Sequence, residues 1–329
     1  MKFEFKDLTK KKQAVLITAI IAVLCGVLNS FLGEIFLPPT AALLAALFLF
    51  ENGGKRIFSY VVPSCLVIIN VFIGGIYSVL GIAPIILALI IYFMYKNGRN
   101  KSECAVALTA TAGVLILLSL YFAAVNATES FDFEAIKGFY IEIYEELKAG
   151  FVNQLSELST VNPELESPIF TEDELALIFD SIAGQLISML VIVSFLIAGV
   201  ALKLFSLLIY RFEKEPHVIV GWRFKITNVF AYFYAILLLL NIFVGSGLGV
   251  VELVIINLYN IFMAIFAYFG FMVAREFLSR GRSGGFGTVM LVIGIFLLSA
   301  LALQILSVIG LIYTIIDNKN KGNTFKEYN

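Results

Sequence analysis

Long apolar runs separated by short polar stretches occupy most of this 329-residue chain. An α-helix rises about 1.5 Å per residue, so about 20 apolar residues cross the roughly 30 Å hydrocarbon layer of a bilayer. Nine runs meet or approach that length, and they cover residues 13–32, 35–50, 56–74, 76–95, 104–125, 184–210, 226–244, 250–274 and 286–316. Membrane β-barrels use alternating strands of about ten residues, which these unbroken runs exceed. The pattern predicts an all-α, polytopic transmembrane helix bundle of about nine spans, with eight or ten as the alternatives.

The polar breaks between the runs divide the chain into four predicted parts. Residues 1–125 would form an N-terminal membrane bundle of about five spans, and residues 184–316 a C-terminal membrane bundle of about four. Residues 126–183 would form an acidic helical insert between the two bundles, and residues 317–329 a polar tail.

The insert is predicted to be a helical hairpin. Apolar residues from Phe133 to Leu158 recur at steps of three and four, so residues 131–159 fit an amphipathic helix. Prolines break that helix, and Thr171 with Glu174 three residues later forms a capping box for a second helix. The second helix is expected to run on into the sixth apolar run. The hairpin would either cover the outer mouth of the bundle or act as a mobile lid or a vestibule that attracts cations.

Composition indicates that the surroundings of the bundle are lipid. Apolar and aromatic residues make up 60% of the chain and charged residues 14%. A soluble domain is nearer half apolar and a quarter charged. The lipid bilayer is therefore the first predicted partner. The chain has no basic face or stripe of the kind that binds nucleic acid, so that class of partner is excluded.

The distribution of charge predicts the orientation. The insert contains thirteen acidic residues and only two basic ones, Lys137 and Lys148. If the N-terminus is cytoplasmic, the segments on the inner side carry 18 of the 23 Lys and Arg residues, as the positive-inside rule requires. We therefore expect a multi-pass plasma-membrane protein with a cytoplasmic N-terminus and with residues 126–183 outside the cytoplasm.

A ridge of small residues lies along the first run. The first-helix ridge consists of Ala14, Thr18, Ala22 and Gly26, spaced four residues apart. In lipid, small residues let helices approach closely. The ridge is therefore predicted either to pack within the chain or to dock a separate membrane protein.

Polar residues inside the apolar runs are candidates for contact with a small solute. Glu252 is the carboxylate that falls clearly inside a run, and Asn257 and Asn260 share its side of the helix. The remaining candidates are Tyr234 and Asn241 in the seventh run and Asn70 in the third. Polar groups at membrane depth are costly and so are functional candidates. The alternative is that Glu252 reaches the interface and the amides bond neighbouring helices.

Trp222 and Arg223 stand in the polar loop before the seventh run. A tryptophan flanked by basic residues is typical of an anchor at the membrane interface. The alternative is a surface on which a partner protein docks.

Catalytic and cofactor motifs do not emerge from the sequence. His217 is the single histidine, so a His-based metal site or a Ser-His-Asp triad cannot be assembled. The three cysteines lack paired CxxC spacing. The glycine-rich clusters lack the strand context of a dinucleotide fingerprint and the Gly-Lys-Ser/Thr ending of a P-loop. We predict that the chain is not an enzyme and that it holds no cofactor or metal.

Two local patterns carry a family resemblance. One is Phe36-Leu37-Pro38-Pro39 entering a short span that ends at Phe50-Glu51-Asn52-Gly53-Gly54, and the other is Trp222-Arg223-Phe224. With the order of the spans, they make the chain resemble the YybS-like bacterial membrane proteins of unknown function. That family is similar in turn to the substrate-binding subunits of energy-coupling-factor vitamin importers. The resemblance implies that the first-helix ridge would dock a transmembrane coupling partner.

The sequence therefore leads to two functional hypotheses. The first is a solute-binding, transport-related membrane subunit that works with partner proteins, such as a coupling subunit, and takes a small molecule from outside. The alternative is a membrane scaffold or assembly factor in cell-envelope or sporulation physiology, whose partner would be an envelope protein.

Overall fold

A computed structural model describes residues 5–51, 57–74, 81–99, 101–160, 171–213, 226–243, 249–279, 289, 292–293 and 301–316. The helices in chain order are α1 (Phe5–Leu32), α2 (Leu37–Phe50), α3 (Ile57–Gly74), α4 (Ala83–Lys96), α5 (Lys101–Thr128), α6 (Phe133–Thr160), α7 (Glu172–Ala183), α8 (Leu186–Glu213), α9 (Asn228–Phe243), α10 (Val250–Ser279) and α11 (Leu301–Ile316). A short 3-10 helix, Gly33–Phe36, joins α1 to α2. These described ranges contain helices and turns and no strand, so the predicted all-α fold is confirmed.

Within the described part of the chain, four helices contain segments long and apolar enough to cross a membrane. The segments are Lys12–Ser30 of α1, Ser102–Thr128 of α5, Leu186–Tyr210 of α8 and Val250–Leu278 of α10. Many large apolar side chains on these helices are exposed, including Leu24, Val106 and Ile187. In water such a surface would be unfavourable, whereas in lipid it is expected. The protein is a helical membrane protein, and the number of crossings stays a prediction.

The shorter apolar helices differ from full spans in length. α2 and α4 contain 14 residues each, so each is about 21 Å long and shorter than the hydrocarbon layer. Eleven of the 14 residues of α2 are buried. A helix that is apolar on every side belongs in the interior of a bundle. α2 is therefore a core helix, packed against α1 and α4.

The chain divides into two compact units. The first comprises Met1–Asp180 and Val193–Phe224, and the second comprises Ser181–Ile192 and Lys225–Asn329. The predicted division between the insert and the C-terminal bundle fell at residue 184. In the structure α8 is divided between the units. Its residues up to Ile192 belong to the second unit, and its residues from Val193 onward belong to the first.

In the first unit, α1 packs along α2 and α3. Gly26 of α1 lies against Leu66 of α3, so closely that a Cβ at Gly26 would meet the isobutyl group. Glu51, which follows α2 and is only 8% exposed, accepts hydrogen bonds from the backbone N–H groups of Phe58 (3.2 Å) and Ser59 (2.6 Å). A carboxylate in this position satisfies orphan donors at the start of α3 and complements the helix dipole.

The insert is a helical hairpin, as predicted. α6 packs on the end of α5, where Ile136 meets Ala124 and Val125. α7 packs on α6 through Phe179, whose ring lies 5.4 Å from that of Tyr144 and 5.5 Å from that of Phe151.

The capping box at the start of α7 is also confirmed. The Thr171 N–H donates to Glu174 Oε2 over 2.8 Å, and the Glu174 N–H donates to Thr171 Oγ1 over 3.3 Å. The expectation that this second helix runs on into the sixth span is wrong. α7 ends at Ala183, a turn follows at Gly184 and Gln185, and α8 begins at Leu186.

The described helices of the second unit surround a buried aromatic core. Ala231 and Tyr234 of α9 pack against Phe266 of α10, with Leu311 and Ile315 of α11 at the edge. α10 and α11 meet at Gly270 and Gly310. A Cβ at Gly270 would lie 2.7 Å from the Leu306 carbonyl carbon, and one at Gly310 would lie 2.9 Å from the Gly270 nitrogen. Only glycine permits this backbone contact.

Candidate functional site

The break between α7 and α8 is the place where polar groups converge. Its centre is the amide cluster, which we define as Gln185 in the turn and Asn257 and Asn260 on α10. All three residues belong to the second unit. Asn257 and Asn260 are among the solute candidates predicted from the sequence. In the structure they bond to neighbouring residues of the same turn, Gly184 and Gln185, which were not predicted.

Asn257 bridges the break with its side-chain amide. The Ser188 N–H donates to Asn257 Oδ1 over 2.8 Å, and Asn257 Nδ2 donates to the Gly184 carbonyl over 2.8 Å. In a continuous helix the Ser188 N–H would donate to that same carbonyl, four residues earlier. The amide of Asn257 therefore occupies the place of one backbone hydrogen bond.

The environment holds the bridging amide in place. Asn257 is only 8% exposed, and Nδ2 also donates to the Leu253 carbonyl over 2.8 Å. An asparagine side chain has two N–H donors and one carbonyl acceptor. Both donors and the acceptor of Asn257 are thus engaged within the protein, which is the role the alternative interpretation assigned to the intramembrane amides.

Asn260 and Gln185 form the more open half of the amide cluster. Asn260 Nδ2 donates to Gln185 Oε1 over 2.8 Å, and Gln185 Nε2 donates to the Ser181 carbonyl over 3.3 Å. Both side chains are half-buried. The bond to Gln185 uses one of the two N–H groups of Asn260 and does not use the carbonyl oxygen of Asn260. The second N–H and this oxygen can therefore form hydrogen bonds at a partly accessible position.

Tyr234 lies in the aromatic core of the same unit. It is fully buried, and its ring stacks on Phe266 with centroids 4.8 Å apart and on Tyr259 at 6.2 Å. Its hydroxyl donates to Ser307 Oγ over 2.7 Å, and Ser307 Oγ donates to the Gln304 carbonyl over 2.7 Å. The hydroxyl is therefore satisfied by α11.

The other three solute candidates belong to α9, α10 and α3. Asn241 is half-buried in the last turn of α9, and Glu252 is half-buried in the first turn of α10. Asn70 belongs to the first unit, where it is 3% exposed and Nδ2 donates to Ser30 Oγ over 2.9 Å. A Cβ at Gly81 would lie 2.5 Å from the Cβ of Asn70, so this amide sits in a tightly packed crossing.

Of the two groups of partner-docking candidates, the structure describes only the first-helix ridge. The first-helix ridge of Ala14, Thr18, Ala22 and Gly26 is buried. This burial favours packing within the chain, and docking of a partner on the ridge stays a prediction. Trp222 and Arg223 lie outside the described residues.

The hairpin carries the clearest electrostatic arrangement outside the spans. Lys148 Nζ of α6 lies 2.8 Å from Asp180 Oδ1 of α7, and the Tyr144 hydroxyl donates to the same carboxylate. The hydrogen bond from Lys148, followed by that from Tyr144, lowers the pKa of Asp180. The same contact with Asp180 raises the pKa of Lys148 and the pKa of the Tyr144 hydroxyl. Both bases of the hairpin are paired, since Lys137 lies 3.4 Å from Glu134.

Three residues of the site were missed by sequence reasoning, namely Gly184, Gln185 and Ser188. The sequence did contain a signal, because Gly184-Gln185 is a flexible and polar pair at the start of an otherwise apolar run. That signal does not distinguish a helix break from an ordinary span entrance.

Fold and site together define a helical membrane protein with an amide-bridged break between two helices. Among the described residues, no three His, Cys, Asp or Glu side chains are grouped so as to hold a metal ion. Comparison with known proteins finds no family model, no curated protein and no solved structure that matches this chain.

Proposed function

We propose that the chain is a plasma-membrane subunit that binds a small polar solute and acts in transport with partner proteins. The observation that supports this proposal is the amide cluster at the helix break. Asn257 and Asn260 lie within the apolar segment Val250–Leu278 of α10, and polar side chains inside such a segment commonly mark the path or the site of a solute. Intramembrane polar residues are otherwise too costly to be common.

Within the cluster, the contact with solute is assigned to Asn260 and Gln185. Both are half-buried, whereas the amide of Asn257 is engaged by Ser188, Gly184 and Leu253. A side-chain amide offers a donor and an acceptor together, which suits a neutral or zwitterionic polar molecule. With the N-terminus in the cytoplasm, the cluster lies toward the outer face, from which the solute would enter.

The energy for transport would come from another chain. The sequence has no nucleotide-binding motif, so a coupling protein would have to supply it. Since the first-helix ridge is buried, we assign the contact with that partner to Trp222 and Arg223, the other docking candidates of the sequence.

The test is purification of the full chain in mild detergent, followed by mass spectrometry of small molecules and proteins that stay bound. We expect the wild type and a Gln304→Leu control to retain the same small molecule, and Asn260→Leu to lose it. Gln304 is an exposed amide on the apolar helix α11, so its replacement controls for the change in polarity. Equal retention by Asn260→Leu, or no bound small molecule in any sample, would contradict the proposal.

A scaffold role is the second candidate, and one observation favours it. The hairpin exposes large apolar side chains, with Ile141 52%, Leu147 61% and Leu177 68% exposed. Exposed apolar side chains on an otherwise acidic segment are typical of a protein contact surface. A photo-crosslinking amino acid at Leu177 would capture an envelope protein if the chain is a scaffold, and Asp173, an exposed polar residue in the first turn of the same helix, supplies the control position.

A further inference from the structure

The bridging amide of Asn257 raises the question of what the break would do without it. Its two bonds join the Ser188 N–H to the Gly184 carbonyl through one side chain. Insertion of a side chain into the backbone ladder is a known cause of helix breaks. If the amide withdraws, the Ser188 N–H and the Gly184 carbonyl are free to bond to each other, as they would in an uninterrupted helix.

The local backbone permits a continuous helix. Among the described residues, positive φ is confined to Gly98, Glu129 and Gly249, so neither Gly184 nor Gln185 has the left-handed conformation of an obligatory turn. The Gln185 N–H already donates to the Ile182 carbonyl in a 3-10 pattern, and the Met189 N–H donates to the Gln185 carbonyl. The backbone on both sides of the gap is therefore already hydrogen-bonded in a 3-10 or helical pattern.

The residues around the break belong to a different compact unit from the chain on either side of them. Residues Ser181–Ile192 belong to the second unit, although the chain on either side, up to Asp180 and from Val193, belongs to the first. Hydrogen bonds from Asn257 and Asn260 tie this segment to α10.

We propose that Asn257 is the positioning residue of a two-state helix break. In one state its amide bridges Gly184 and Ser188, and α7 and α8 are separate helices. In the other state the amide is withdrawn, the Ser188 N–H donates directly to the Gly184 carbonyl, and α7 and α8 form one helix. The change alters the angle between α7 and α8. Because Asp180 of α7 pairs with Lys148 of α6, the change also acts on this ion pair of the hairpin. The inference does not depend on a solute.

The experiment uses the full chain in lipid nanodiscs with ¹³C-labelled glutamine. The Cα chemical shift of Gln185 reports whether this residue is in a turn or in a helix, and hydrogen exchange reports whether the Ser188 N–H is bonded. In Asn257→Leu we expect the Gln185 shift to move to a helical value while the Ser188 N–H stays protected. Gln304→Leu, which leaves the break untouched, serves as control and should keep the wild-type shift.

A second variant separates closure of the helix from loss of fold. In the double variant Asn257→Leu with Ser188→Pro, the proline has no N–H to give to Gly184, and the first turn of α8 tolerates it. We expect its Gln185 shift to stay at the turn value. Asn257→Ala repeats the measurement should the leucine variant not fold.

Three results would overturn the inference. The first is a turn-like Gln185 shift in the folded Asn257→Leu variant, and the second is a helical shift in the double variant. The third is failure of both Asn257→Leu and Asn257→Ala to fold, because a break able to close would leave no unpaired backbone group. Since no step uses a bound molecule, these outcomes are separate from failure of the solute-binding proposal.

Discussion

The crossing of α10 and α11 provides the sharpest test of the packing, through the substitution Gly310→Ala. The added methyl group would overlap the carbonyl oxygen of Phe266 and would lie 2.9 Å from the Gly270 nitrogen. Both groups are backbone, so neither can rotate away, and the helices must separate by roughly 1 Å. A gap of about 0.5–1 Å forfeits a quarter to a half of the dispersion attraction at the contact.

Overpacking of this kind costs about 1–3 kcal/mol. We therefore expect Gly310→Ala to lower the Tm by roughly 2–10 °C in a thermal unfolding assay in detergent. The matched control is Gly199→Ala on α8, where an added Cβ meets nothing within 4 Å. Removing a mid-helix glycine there should stabilise the protein by about 0.5–1 kcal/mol. Equal effects of the two substitutions would refute the inferred backbone contact at Gly310.

The remaining predictions concern the aromatic core and the hairpin. Tyr234→Phe removes a buried hydroxyl bond and should cost about 1 kcal/mol in the same unfolding assay, whereas Tyr232→Phe at an exposed position should leave the Tm unchanged. Thr171→Ala removes the cap of α7 and should speed hydrogen exchange in its first turn roughly five-fold, and unchanged exchange would contradict the capping box. Because the pKa of Asp180 lies below its ordinary 3.8 and that of Lys148 above its ordinary 10.5, α6–α7 pairing should be insensitive to pH between about 5 and about 9. The stabilisation is lost as pH falls through the Asp180 pKa or rises through the Lys148 pKa. In Lys148→Met the alkaline transition in hydrogen exchange of α7 should shrink to the part contributed by the Tyr144 hydroxyl, which also donates to Asp180.

Helix positions followed from the sequence because apolar run length and local capping are local properties. The amphipathic stripe from Phe133 onward and the Thr171–Glu174 pair predicted α6 and the start of α7, and the structure has both. The stop of α7 at Ala183 was not predicted. The break that follows Ala183 is bridged by Asn257, which is more than seventy residues further along the chain, and no local pattern connects the two.

The candidate site divides in the same way. Asn257 and Asn260 were selected because a polar group in lipid is costly wherever it lies, and that cost is visible in the sequence. Their partners Ser188 and Gln185 were not selected, because a serine or a glutamine at the start of an apolar run is common. Tyr234 was selected together with Asn241, but only the packing of α9 on α10 and α11 determines that the Tyr234 hydroxyl meets Ser307.

By itself, the sequence determined that this protein is helical and lies in lipid, because hydrophobic length and the obligation to satisfy backbone hydrogen bonds act on each segment separately. It also determined the hairpin, through periodicity and capping. Only the tertiary structure decided that α2 is buried within the bundle, that two glycines join α10 to α11, and that an asparagine side chain bridges the break between α7 and α8. These features depend on contacts between residues far apart in the chain, and the pattern of any one segment carries no information about which distant side chain it will meet.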